Sequence, residues 1–537
     1  MSRLVILGLD GATFDLIRPW AEEGKLPAFA KLLADGASGE LRSVPNMNTA
    51  PAWTTFMTGK NPGKHGVFWF AEQGVDVGTV RFVTAADRHG VSLWRLLSDA
   101  GQRIAVVNVP MTYPAEQVNG VLVAGFDAPS TRNPSFTHPD GLVAELEREC
   151  GPYVLHASVA HDAQAGHHDR VVDEALSAEE SRVRAALHLM QTREWDVAMY
   201  MIKSTDQVAH HSWDYGAPTQ ERLLPVYAHA DRTLSRFLEA AGPDCNVIVM
   251  SDHGMGWRQP AAEYLNEILE QLGYLRRGTS TAAAARWRAL RLAKRLGPGA
   301  RGFLKRRLPS VYRRFGYQVR FGGLDWQNTR AFSDNTRSCV WINLEGRDPH
   351  GIVHPDERET LVKEIRDILL ALIDPTTGSP VVEAVWNPEE IYSGPYTDQA
   401  PDLQIDWRYE GPVGALQYEG PYGRARSRGS AKGFMHGLSG AHRPMGVLMM
   451  GGPAFAGRRR VDGATLQDLA PTILHLAGLP VPEDMDGRVL RDALAEPHAS
   501  RPVTHTASAG DGGTPSATYT EQEAEEIEER LSALGYL

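Results

Sequence analysis

Short β-type runs separated by helical periodicity constrain this chain more than any other feature. Leu4–Leu9 is followed by an apolar-periodic stretch over residues 14–33. Val197–Ile202 precedes a polar segment and a helix-like 222–240, and 246–250 precedes a helical pattern over 263–272. Ile104–Val109 is a further strand candidate, and 446–450 leads into a helical 466–476. Apolar runs of about four to eight residues suit strands, whereas i, i+3, i+4 spacing suits helices packed on them. Strands alternating with helices predict an α/β fold with a mainly parallel central sheet flanked by helices.

At 537 residues the chain is long for one core, which predicts a large domain with insertions or two domains. A formal net charge of −11 argues against a binder of nucleic-acid polymers. Three cysteines without C-x-x-C spacing give neither a disulfide framework nor a thiolate zinc site, and fit a reducing cytoplasm. The first apolar run is too short for a signal peptide, and no later stretch is long enough to span a membrane. Residues 286–314 are rich in Arg and Lys, contain no acid, and carry interleaved Leu and Phe. They read as two basic amphipathic helices broken at Gly297-Pro298-Gly299: a solvated cap, or a weak contact for an anionic substrate or lipid surface. Beyond 497 a Ser/Thr/Ala/Gly-rich linker is expected, then a charged helix over 521–534.

Three aspartates follow strand-like runs: Asp10, Asp206 and Asp252. Ligands of open α/β sheets bind beyond the carboxyl ends of the strands, so acids delivered there can converge. Taken singly, each is an ordinary loop or capping Asp. Histidines join them. Asp206 and His210 share a face of any helical turn, His253 adjoins Asp252, and His442 precedes the 446–450 strand. Carboxylate and imidazole donors without cysteine are the ligand types of zinc or manganese. Thr49 stands where a helix should begin. The bland reading is an N-cap; the sharper one is a nucleophile favoured by the helix dipole and exposed N–H groups.

The ordered set of motifs resembles the type I phosphodiesterase and nucleotide pyrophosphatase branch of the alkaline phosphatase superfamily, including its predicted phosphohydrolases and phosphomutases. Thr49 precedes Thr58-Gly59, and Pro62-Gly63-Lys64-His65-Gly66 follows. Asp206 and His210 match Asp-x-x-x-His, residues 251–255 match Ser-Asp-His-Gly-Met, and 440–442 match Gly-x-His. Residues 470–474 and Met485-Asp486-Gly487 also fit. The resemblance implies an alkaline phosphatase-like core over 1–255 and 431–496, with 256–430 inserted as a cap, a linker over 497–519 and a terminal helix over 520–537. It implies two divalent metal ions, zinc with manganese as the alternative. Asp206, His210 and His442 would hold one; Asp10, Asp252, His253 and the Thr49 oxygen would hold the other. His65, His211 and His436 match no ligand position and are expected to be structural or supporting.

The expected chemistry is attack by Thr49 on a small phosphate ester, a covalent phosphothreonine-type intermediate, and release by water. A phosphomonoesterase or phosphomutase would use the same residues. A sulfatase would need a Cys/Ser-x-Pro-x-Arg element, which 49–53 lacks; a haloacid-dehalogenase phosphatase would need Asp-x-Asp, which Asp10-Gly11-Ala12 lacks. A non-catalytic metal-binding module would be favoured by a broken ligand set, but every position is filled. The family's phosphate-binding Asn falls on Phe70 here. Replacement donors are Asn48, Asn108 and Lys203. Trp69 and Phe70 are either core residues or a surface for the organic arm of a diester, and the second reading predicts a preference for diesters.

Overall fold

The computed structural model describes residues 2–73, 80–157, 159, 162–163, 166–214, 217–278, 324–334, 337–411, 413–428, 438–508, 510, 523–524 and 526–527. The basic segment over 286–314 and His436 lie outside the described residues, as does most of the terminal helix.

The strands of the central sheet are β1 (Leu4–Leu9), β2 (Ala37–Arg42), β3 (Ile104–Val109), β4 (Gly120–Ala124), β5 (Thr137–His138), β6 (Val197–Ile202), β7 (Asn246–Ser251), β8 (Met445–Gly451), β9 (Arg459–Arg460) and β10 (Ala464–Thr465). Their order is β9-β2-β8-β7-β1-β6-β3-β4-β5, with β10 also paired to β2. The middle strands β7, β1, β6, β3 and β4 run parallel, and β8 is antiparallel to both β7 and β2. Strands β1, β3, β6 and β7 are buried at every position, because helices cover both faces; this is why they read as unbroken apolar runs. On one face Val5, Leu7 and Leu9 pack with α1 (Phe14–Glu22), α2 (Pro27–Asp35), α4 (His168–Thr192) and α6 (Gln220–Ala241). On the other, Leu4 and Ile6 pack with α3 (Thr49–Thr58) and α7 (Leu469–Leu476). The remaining helix of interest is the short α5 (Ser204–Ala209) after β6.

Three helical expectations change in detail. The 14–33 stretch is two helices, because Gly24 takes φ 74° and Pro27 opens the second. The 263–272 and 466–476 stretches each begin with a tighter turn, over Pro260–Tyr264 and Leu466–Asp468.

A second, smaller core is inserted between β7 and β8. Antiparallel strands Ala331–Ser333, Cys339–Ile342, Leu403–Trp407 and Val382–Trp386 pack with helices Leu265–Gln271 and Pro355–Leu370. The chain leaves the main sheet along Gly254–Trp257 and returns along Gly440–Arg443, and these two segments pair antiparallel. Within the stretch expected as a linker, His505–Thr506 pairs with Val481–Pro482. No described helix is long and apolar enough to cross a membrane.

Candidate active site

Strand register delivers the first three charged groups to one level. Leu9 pairs with both Ser251 and Ile202, so Asp10, Asp252 and Lys203 are the residues that leave three adjacent parallel strands together. Asp206 follows Lys203 by one turn, on α5. All four are buried. Lys203 Nζ lies 2.8 Å from Asp10 Oδ2 and 2.6 Å from Asp206 Oδ2. Thr205 Oγ1 donates to the Asp10 carbonyl at 2.6 Å, and Ser43 Oγ to the Asp252 carbonyl at 2.6 Å, which fixes the turns that carry the acids.

The histidines close the site. Asp206 Oδ1, His210 Nε2 and His442 Nε2 form a triangle with sides of 3.2, 3.3 and 3.1 Å. His253 Nε2 stands 3.5 Å from Asp10 Oδ1, 3.3 Å from Asp252 Oδ2 and 3.2 Å from Thr49 Oγ1. The two groups adjoin, with the His253 and His442 rings stacked at 3.6 Å. The structure therefore brings together all seven residues expected at the centre. His65 stands apart, bonded to Thr55 Oγ1 and to the Val67 amide. His211 is buried at the end of α5.

Thr49 is the first residue of α3 and not its cap. Asn48 caps the helix, its Oδ1 accepting from the Ala50 amide at 3.3 Å. The Thr49 hydroxyl is thus directed at His253 from the positive end of a helix. Gly8 allows this placement: a Cβ there would come within 2.4 Å of Trp53 Cη2, so α3 seats directly on β1.

The donor chemistry fits divalent cations. Each of the three histidines has Nδ1 against a backbone carbonyl: His210 on Gly440, His442 on Met47 and His253 on Gly254. With Nδ1–H donating there, each Nε2 presents a lone pair to the cluster. Two such nitrogens facing at 3.1 Å repel unless a cation or proton lies between them. Buried Asp10 Oδ1 and Asp252 Oδ2 have no hydrogen-bond donor among the described residues. Burial pushes the Asp10 carboxyl up to about 7, Lys203 opposing and Asp206 adding to the shift. Burial, with Asp10 and Asp206 alongside, also raises Asp252 well above the usual range. Burial acts against the charge on Asp206 too, but Lys203 and His210 outweigh it and hold that carboxyl low. Burial and neighbouring His442 keep His253 neutral. Three acids share one lysine, and further positive charge would satisfy them.

The expected substrate contacts fare differently. Asn48 lies beside the nucleophile, and its amide NH2 is bonded to none of the described residues. Asn108, at φ 63°, donates to the Met201 carbonyl at 2.8 Å, so its NH2 is engaged in holding adjacent strands. Lys203 is engaged by carboxylates, with the Phe126 ring 4.6 Å from Nζ. Phe70 is a core residue against Phe126, and Arg337 stacks over Trp69 at 3.8 Å. Both rings are buried in hydrophobic packing.

Sequence reasoning missed Glu179, from the middle of α4. Its Oε2 accepts from the Lys203 and Ser204 amides at 2.9 and 2.8 Å, and Arg182 Nη2 pairs with it at 3.1 Å. A Glu-x-x-Arg pair on a long helix resembles any solvated face, so spacing alone carried no signal.

The model of type I phosphodiesterase / nucleotide pyrophosphatase matches residues 4–410. Phosphonoacetate hydrolase from Sinorhizobium meliloti 1021, in complex with phosphonoformate, superposes with TM-score 0.53 and 16% identity, over 87% of this chain and 94% of that one. That likeness shows an alkaline phosphatase-like fold. Murine ectonucleotide pyrophosphatase / phosphodiesterase 5 gives TM-score 0.47 at 11% identity, over 92% of this chain and 100% of that one. A 50-residue stretch is 52% identical to a 2,3-bisphosphoglycerate-independent phosphoglycerate mutase from Cereibacter sphaeroides, spanning only 9% of either protein. By its family match and its fold, the chain belongs to the type I phosphodiesterase / nucleotide pyrophosphatase family of the alkaline phosphatase superfamily.

Proposed function

We propose that the protein is a metal-dependent phosphoric ester hydrolase in which Thr49 is the nucleophile. The observation that carries this reading is the Thr49 hydroxyl at a helix N-terminus, 3.2 Å from a histidine that adjoins three buried acids. Asp206, His210 and His442 would hold one divalent cation, and Asp10, Asp252, His253 and Thr49 a second, with zinc first and manganese as the alternative. Such cations, when bound, supply charge for the alkoxide of Thr49 and for the leaving oxygen. The protein's own groups orient and shield. The α3 N-terminus favours an anionic phosphoryl group in front of Thr49. Asn48 would donate its NH2 to a non-bridging oxygen, the role that Phe70 cannot fill. Thr49 attacks phosphorus, the ester oxygen departs, and water then cleaves the phosphothreonine.

The family's description supports a phosphodiesterase. The short likeness to a phosphoglycerate mutase favours a second reading, in which the phosphoryl group returns to a hydroxyl. The low cysteine content supports a cytoplasmic location. The test is activity on matched aryl phosphate diester, phosphate monoester and sulfate ester after loading with zinc or manganese. The expected result is a diester preference of at least about tenfold in kcat/KM, or about 1.4 kcal/mol of transition-state binding. A monoester turned over as well as the diester would put the phosphatase or mutase reading first. No turnover of any phosphate ester by the loaded protein would remove the hydrolase reading.

A further inference from the structure

Lys203 divides two carboxylates in the same way. It takes Oδ2 of Asp10 and Oδ2 of Asp206, at 2.8 and 2.6 Å. The other oxygen of each, Oδ1, faces the histidines: Asp10 toward His253 at 3.5 Å, Asp206 toward His210 and His442 at 3.2 and 3.3 Å. One acid belongs to each proposed metal set, so the ammonium links the two sets from behind.

The lysine is built into this place. Its side chain is 4% exposed, and Phe126 lies against it. Its amide and that of Ser204 are held by Glu179, which Arg182 and the Tyr200 hydroxyl hold in turn. A lysine anchored at both ends does not swing out to meet a substrate.

We propose that Lys203 is a resident counter-cation that keeps the metal-free acid cluster folded and sets the divalent affinity of both sets at once. This rests on the metal reading above and names what regulates that site. Two effects oppose each other. Lys203 orients Oδ1 of both acids, which favours a metal, but it also places a positive charge behind both sets. Loss of an outer orienting partner costs about 10–100-fold in affinity. A unit charge on the far side of the carboxylates that would hold a divalent ion, at an effective dielectric of about 20, contributes more than that, with opposite sign. The charge effect wins, so neutralising Lys203 tightens metal binding while weakening the empty protein.

The experiment uses the full chain, with Lys203→Met and Lys203→Gln as variants; Gln keeps a hydrogen-bond donor without charge. Mn2+ and Zn2+ affinities are read by competition with a chromophoric chelator, and Tm is read with and without metal. Both variants should bind Mn2+ at least about tenfold more tightly at both sites. They should also melt lower than wild type without metal, and recover when it is added. Folding only in the presence of metal is the same result in a stronger form. If Lys203→Met fails to fold under both conditions, Lys203→Gln decides. Equal or weaker affinity, or an unchanged metal-free Tm, in Lys203→Gln overturns the proposal. Absence of divalent binding by wild type would instead overturn the metal reading, and so marks a different failure.

Discussion

Thr49 Oγ1 meets His253 across 3.2 Å because Asn48, one residue earlier, does the capping. Thr49→Ala should therefore spare the helix start and remove the attacking oxygen. Activity should fall by several orders of magnitude with the circular dichroism spectrum unchanged. Near wild-type turnover by the folded variant would remove Thr49 from the mechanism. Asp252→Asn and His442→Ala touch different ligand sets, so each should lower metal content as well as rate, and elemental analysis measures this. Two full equivalents retained by both variants would place the metals elsewhere. The seven central residues were legible because charged and imidazole groups after apolar strands have few competing uses when they recur in order. The surroundings of Asn108 and Phe70 were not, because an amide or a ring looks the same in sequence whether it faces a substrate, the Met201 carbonyl or Phe126.

Elements are held to the sheet by close approaches at glycine. Gly8→Ala would drive a methyl into Trp53 and lift α3 from β1. We expect a loss of about 1–3 kcal/mol in urea unfolding, together with a fall in activity, since Thr49 rides on that helix. Unchanged stability would mean that α3 has room to shift. The apolar strands were legible from runs such as Leu4–Leu9, whose side chains face helices above and below. Strand β2 was not: Ala37-Ser38-Gly39-Glu40-Leu41-Arg42 alternates small, polar and charged residues and is covered on one face only in part. Helix α4 was hidden by its acidic and basic residues, two of which, Glu179 and Arg182, are buried as an ion pair.

At the scale of the molecule, the C-terminal part clasps the nucleophile's helix. Asp486 accepts from the Asn61 amide and side chain at 2.7 and 2.8 Å and pairs with Lys64 at 2.5 Å, while its own amide donates to the Gly59 carbonyl. Asp486→Ala should cost about 1–3 kcal/mol, read as a lower urea midpoint, because partly buried donors lose their acceptor. A midpoint equal to wild type would show that solvent replaces the clasp. This contact also explains why Thr58-Gly59 and Met485-Asp486-Gly487 were both recognisable in the sequence: Gly59, at φ 65°, has no space for a Cβ beside Met485. The position of β1 has a consequence for synthesis. Strand β1 is a middle strand of the sheet, yet it leaves the ribosome long before its partners β6 and β7, which begin at residues 197 and 246. At about 5–20 residues per second, Leu4–Leu9 waits on the order of ten seconds or more for a neighbour. A nascent chain cut at residue 195 would still display that strand without either partner, and it is there that a chaperone has work to do.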